Sequence, residues 1–217
     1  MAGIHVQELV HGVICDFQED SYPSQVHGWR GAALRLGAVG THYGLVMAGP
    51  ARLKVEQGEF LLQAGMYFAV PGAMEVEGPL GWVATRLTHR GLFQLGGPLE
   101  AVGRLHYIDG CTDSLLVAPA RCGDPCLNML HLPPHVVQSP HTHPSLRAGV
   151  VVNGMGRCLT ATANLPLEPG LAFVIRADEV HHFETDRDPL QIVAFHPDSD
   201  WGPTNENHPM INRTILQ

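Results

Sequence analysis

His141-Thr142-His143 places two imidazoles at i and i+2, the spacing that sets both on one face of an extended strand. Imidazole is the commonest protein ligand for divalent transition metals, so the pair reads as part of a metal site. Arg147 and Gly154 follow, and a further histidine, His181, lies one strand pair downstream.

The elements that must position these residues are legible around them. Val150-Val151-Val152 continues a strand, and Asn153-Gly154 is a tight hairpin signal after it. Residues 157–162 read as the returning strand. Pro169-Gly170 then supplies a turn before the apolar run 171–175, which delivers His181 and His182. The site is therefore expected inside antiparallel β-structure.

This pattern resembles the first motif of the cupin superfamily, G-x5-H-x-H-x3-E-x6-G, with His141 and His143 at the histidines, Arg147 at the glutamate and Gly154 at the last glycine. The family's second motif, G-x5-P-x-G-x2-H-x3-N, falls with Gly170 at its first glycine, Arg176 at the proline, Asp178 at the second glycine, His181 at the ligand and Thr185 at the asparagine. The resemblance implies three metal ligands, His141, His143 and His181, on a jelly-roll β-barrel. It also implies that the carboxylate most cupins add is missing, because Arg147 stands in its place.

A single constant offset brings Gly44 onto Gly149, Gly49 onto Gly154, Arg52 onto Arg157, Gly65 onto Gly170 and Phe68 onto Phe173. Such self-similarity marks a duplicated unit. The expected fold class is all-β, two cupin-type double-stranded β-helix barrels in one chain (a bicupin). The expected organisation is an N-terminal segment at 1–27, a first barrel at 28–90, a connector with strands at 91–127, a metal-binding barrel at 128–196 and a tail at 197–217. At the same offset Leu36, Ala38 and Val76 stand over the three histidines, so the first barrel is expected to be metal-free and to serve packing, homodimer formation and closure of the other barrel. His42, over Arg147, reads as a structural histidine.

Composition suits this picture, since 24 glycines and 17 prolines punctuate a chain that is 45% hydrophobic. No helix of convincing length appears, although residues 6–10 could form a short turn. The connector holds strand-like runs at 104–109 and 114–118 that could pair with either barrel. A formal charge of −8, with only 13 Lys and Arg, leaves no basic stripe for nucleic acid. No membrane-spanning run or leader is visible, so a cytoplasmic location without membrane partners is expected. Five cysteines, an odd number, do not form a disulfide framework, and Cys122/Cys126 lack CxxC spacing. The tail 196–210 carries many oxygen side chains but lacks EF-hand spacing, and reads as a solvated loop over the barrel.

Strand parity completes the pocket: Ser145 and Arg147 face inward with His141 and His143, and Phe183 and Thr185 with His181, while His182 faces out. His196 ends the neighbouring strand beside the site. Metal-bound imidazoles need a partner for the second ring nitrogen, so His143 or His181 is expected to donate to a carbonyl or carboxylate. Three neutral ligands leave a divalent ion (Fe(II), Zn, Ni, Mn or Cu) with its full charge, and Arg147 adds another, so the pocket suits a small anionic, carboxylate-bearing ligand. Alternatively, Arg147 pairs with an acid on the rim such as Glu168 or Glu184. Two functional readings stay open: an enzyme resembling the three-histidine Fe(II) dioxygenases with Arg147 as anion anchor, or a non-oxidative cupin, whether isomerase, lyase, hydrolase or a binding and sensing module. Beyond His182, His196 or a water on the metal, the sequence offers no general base.

Overall fold

A computed structural model describes residues 3–215, and among them the chain is all-β, with no α-helix and only two short 3-10 turns. Four antiparallel sheets form two halves. In the N-terminal half a six-stranded sheet runs in the spatial order Gln94–Gly96, Tyr67–Pro71, Thr41–Ala48, Leu80–Arg86, Ser24–Arg30, Gly12–Phe17. A four-stranded sheet, Leu34–Leu36, Met74–Glu77, Ala51–Val55, Gly58–Leu62, belongs to the same half. The C-terminal half has a seven-stranded sheet, Ile4–Glu8, Leu171–Ile175, Arg147–Gly154, Leu190–His196, Cys126–Leu132, Thr112–Val117, Leu105–His106, and a three-stranded one, Asn164–Leu167, Gly156–Thr160, His181–Glu184. The two sheets of each half are separate ladders and do not close into one hydrogen-bonded barrel.

The internal repeat is visible as topology. Strands Tyr67–Pro71, Thr41–Ala48, Leu80–Arg86, Ser24–Arg30 and Gly12–Phe17 stand in the same spatial order as Leu171–Ile175, Arg147–Gly154, Leu190–His196, Cys126–Leu132 and Thr112–Val117. Each large sheet takes its edge strand from elsewhere in the chain. Gln94–Gly96 caps the first, whereas Ile4–Glu8 crosses to pair with Leu171–Ile175 of the second. Residues 6–8, expected in a short turn, are thus strand, because Ile4 and Val6 pack onto the apolar core of the C-terminal half. The two later connector strands join the C-terminal half, Leu105–His106 pairing with Thr112–Val117 and that strand with Cys126–Leu132, whereas Gln94–Gly96 stays with the N-terminal half.

Three apolar layers hold the molecule together. One lies between the two sheets of the N-terminal half and includes Trp29, Leu53, Phe68 and Val83; another lies between those of the C-terminal half and includes Leu130, Cys158, Phe173 and Phe183. The third lies between the two large sheets, where Tyr43, Leu45 and Trp82 meet Met129, Val150, Val193 and Phe195. The Tyr43 and Phe195 rings are 5.2 Å apart there. Val150 and Val151 illustrate the result: alternate residues of one strand feed two different cores, so the strand is apolar on both faces. All five cysteines are free, with Cys122 exposed and the other four buried. No helix of the described residues is long and apolar enough to cross a membrane.

His42 is a satisfied structural residue: its Nε2–H donates to the Gly37 carbonyl at 3.1 Å and its Nδ1 accepts from the Thr85 hydroxyl at 2.8 Å. Gly154 is required on two counts. Its φ of 78° is in the left-handed region, and a Cβ there would lie 1.8 Å from the Pro189 carbonyl oxygen.

Two outcomes are expected. Truncating Phe195 to Ala should cost about 3–5 kcal/mol and lower the denaturation midpoint of both halves together, because the central layer is shared; tryptophan fluorescence from Trp29 and Trp82 and far-UV circular dichroism should report one coincident transition. Burial also pushes His27 down to about 4 and lowers His42, so both stay neutral in the folded state below the pH at which the unfolded chain takes up protons. Stability should therefore be fully present above about pH 6.5 and fall as pH drops towards 4, a trend that urea midpoints at stepped pH would read.

Candidate metal centre

His141 and His143 are not on a regular strand. The strand expected to carry them begins at Arg147, and the histidines lie on the extended segment before it, between Pro140 and Pro144. Proline has no N–H to give a ladder, which explains why pairing here shrinks to an isolated bridge. That bridge joins the two ligand segments directly: His141 and His181 exchange N–H···O bonds of 3.0 Å in both directions. The Asp178 N–H, 2.8 Å from the His143 carbonyl oxygen, ties the second histidine to the same turn. Asp178 stands where the motif has its second glycine, and its φ of 61° keeps the left-handed conformation that glycine would adopt.

The three rings converge, with centroids 4.6–5.2 Å apart and ligand-capable atoms all within 4.8 Å of one another. Nδ1–H of His141 donates to the Ser139 carbonyl and that of His181 to the Glu179 carbonyl, each at 2.8 Å. These bonds fix the tautomer and leave both Nε2 lone pairs available, which meets for His181 the expectation of a carbonyl partner. Burial, reinforced by Arg147 and the neighbouring rings, pushes His143 down to about 3. Burial likewise takes His181 to about 4. Both are neutral, and so ligand-competent, at physiological pH. The donor set fits a divalent transition ion.

His196 is half-buried beside this group, its ring centroid 6.3 Å from that of His143, and desolvation holds its pKa well below the usual histidine range. His182 points away and sits 3.2 Å from the Glu184 carboxylate.

Arg147 reaches the same cavity with its side chain 12% exposed. Nη1 does all its bonding, to the Ser145 hydroxyl at 2.6 Å and to the carbonyls of Ser145 and Leu146 at 3.3 and 3.0 Å. The acid beside it is Asp198, 3.8 Å away and also bound by the Ser145 hydroxyl, in place of Glu168 or Glu184. Glu184 is taken by Arg157 at 2.7 Å. Burial works against the Arg147 charge, and Asp198 is the largest influence in its favour. Among the described residues the Nε–Nη2 edge has no partner, and Nε is fully buried.

In the N-terminal half the position opposite Leu36 is Met74, as His181 is opposite His141. The constant offset had put Val76 there. It breaks because the turn at 176–180 is longer than its counterpart at Gly72-Ala73, so the two strands resume out of step. The positions equivalent to the ligands are thus Leu36, Ala38 and Met74.

The histidines open onto a cavity of about 480 Å³. Phe173, Ile175 and Phe183 form an apolar wall. Residues that sequence reasoning did not assign complete it: Tyr107 and Asp113 from the connector, Asn128 from the adjacent strand, and Asp198 and Trp201 from the tail. The tail is held in place by Ser199, whose hydroxyl donates to the Asp124 carbonyl at 2.8 Å and whose carbonyl accepts from the Gly123 N–H at 2.8 Å.

No protein-family model matches the chain, and no curated protein matches it significantly. Solved structures do. A cupin 2 conserved barrel domain protein from Leptotrichia buccalis superposes with a TM-score of 0.59 at 14% identity, over 89% of this chain and 88% of its own. The putative glyoxylate induced protein from Pseudomonas aeruginosa gives 0.62 at 12%, over 93% and 82%. A salicylate 1,2-dioxygenase mutant from Pseudoaminobacter salicylatoxidans in complex with gentisate gives 0.57 at 13%, over 79% and 67%. At these identities the likeness is one of fold.

One metal per chain is the expected stoichiometry. Elemental analysis of untagged protein dialysed against Co(II) or Zn(II) should read close to one equivalent, and the His141→Ala/His143→Ala double variant close to none. Stoichiometric metal in that variant, or an anomalous peak in the N-terminal half, would place the site elsewhere.

Proposed function

Starting from a cupin fold, we propose that this chain binds a divalent transition metal through His141, His143 and His181 and a small carboxylate-bearing molecule through Arg147. The observation that carries the second part is the Arg147 guanidinium, a planar fork that lines the same cavity as three neutral imidazoles and whose Nε has no partner among the described residues. Carboxylates accept such a fork bidentately. Ser145 and the backbone carbonyls hold Nη1, so the guanidinium is oriented before any ligand arrives. Asp198 offsets part of its charge, which favours a ligand with one negative end over a polyanion.

Bound at the triad, the ion supplies Lewis acidity and, as Fe(II), redox chemistry towards O2. The chain's own contribution is to align the acid, exclude water with Phe173, Ile175 and Phe183, and keep the ligand imidazoles unprotonated. An Fe(II) dioxygenase acting on a small carboxylic acid is the leading reading, supported by the three-histidine donor set and by the fold shared with a salicylate dioxygenase. A non-oxidative role is favoured by a different observation. His196 lines the same cavity beside His143, a further imidazole placed for proton exchange with a bound ligand.

Fe(II)-loaded protein offered a panel of small carboxylic acids under air should consume oxygen if the leading reading holds; acid binding without oxygen uptake selects the alternative. Arg147→Lys, which keeps the charge and loses the fork, should retain full metal content and bind carboxylates about ten- to a hundredfold more weakly by calorimetry. Unchanged acid affinity in that variant would remove Arg147 from the binding site and leave it as the structural partner of Asp198.

A further inference from the structure

Across the cavity floor from Arg147 lies a second polar group with unmet hydrogen-bonding capacity. Asn128 and Asp113 are on adjacent strands, Asp113 opposite Leu130 and Asn128 opposite Leu115, which makes them diagonal neighbours on one face. The Asn128 Nδ2–H donates to the Asp113 carboxylate. That leaves acceptors only. Asn128 is 8% exposed, and its Oδ1 is fully buried with no partner; among the described residues nothing else donates to the Asp113 carboxyl. Both residues line the cavity that holds the histidines. Burial pushes the Asp113 carboxyl up, and the Asn128 amide pulls it partly back.

A buried amide oxygen without a donor is costly, and native structures rarely keep one unless something else fills it. A purely structural pair on this wall would end in a donor as well. Leu115, Leu130, Ile192 and Ala194 surround the pair, and the donors that share the lining, His106, Tyr107 and Cys126, make no side-chain hydrogen bond to either residue among the described residues.

Sheet register gives the spacing. Gly149 and Asn128 are both opposite Ala194, on either side of the Leu190–His196 strand, and Arg147 is two residues along from Gly149. With strands about 4.8 Å apart and roughly 3.3 Å rise per residue, the Arg147 and Asn128 Cα atoms are on the order of 12 Å apart. Ala194, a small side chain, forms the floor between them. A ligand lying across it would present acceptors to one end and donors to the other.

We infer that Asn128 Oδ1 and the Asp113 carboxylate form a donor-recognition subsite, so that the molecule whose carboxylate meets Arg147 carries a hydroxyl or amino group at its far end, several carbons away. The inference rests on the carboxylate reading of Arg147. It narrows the ligand class from carboxylic acids at large to ω-hydroxy or ω-amino acids and para-hydroxy or para-amino aryl acids.

The test is calorimetry on Zn(II)-loaded protein, which binds without oxygen chemistry. The probes are hexanoate, ω-hydroxyhexanoate and ω-aminohexanoate, together with phenylpropionate and its para-hydroxy and para-amino forms. In the native protein a donor-bearing acid should bind about tenfold more tightly than its unsubstituted parent. In Asn128→Leu, and in Asp113→Asn should the first variant fold poorly, that ratio should fall towards one. A ratio near one in native protein for both probe families overturns the inference while leaving the carboxylate reading intact, as does a native preference that survives both substitutions. Failure of every acid to bind overturns the carboxylate reading and this one with it.

Discussion

The constraint on which the rest depends is that the large sheet of the C-terminal half is buried on both faces. One face meets the N-terminal half through Val150, Val193 and Phe195; the other meets its own small sheet through Phe173, Ile192 and Leu130. Water reaches neither face freely, so a polar side chain there must find a protein partner, bind something, or destabilise the fold. Most positions avoid the choice by being apolar. The exceptions cluster at one mouth, where Arg147, His196, Asn128 and Asp113 share a single cavity with the histidine triad.

The same constraint sets the electrostatics of the triad. Desolvation is the largest influence on His143 and His181, and it acts to keep them neutral. Arg147 pushes in the same direction, which a glutamate at its position would not do. In the proposed function, a guanidinium where the cupin motif has a carboxylate serves to receive an anion, while the ligand rings stay unprotonated. Asp198 keeps this arrangement from being a bare cluster of positive charge, and it arrives from the tail, beyond the strands that carry the motif.

How far the sequence could be read follows from how local each signal was. Ligand spacing, the glycine turns and the alternation of apolar residues depend on neighbours within a few positions, so the all-β class and the convergence of His141, His143 and His181 were legible. The repeat offset held through Phe68 and Phe173 and failed at the next turn, whose greater length in the C-terminal half the matched residues did not reveal. The pairing of Ile4–Glu8 with the opposite half, the Asp198 partner of Arg147 and the Asp113/Asn128 wall were not legible. Each joins segments far apart in the chain, chosen by packing that no short-range pattern encodes.

The two halves share one strand order but differ at the positions of the histidine cluster. Where the C-terminal half has His141, His181 and Arg147, the N-terminal half has Leu36, Met74 and His42, and His42 spends both ring nitrogens on Gly37 and Thr85. Its positions equivalent to the ligands are thus apolar, with Met74 and Val76 in the core. The N-terminal half supplies the surface for the central layer, and the C-terminal sheet needs that surface, because Tyr43, Leu45 and Trp82 are what cover its second face.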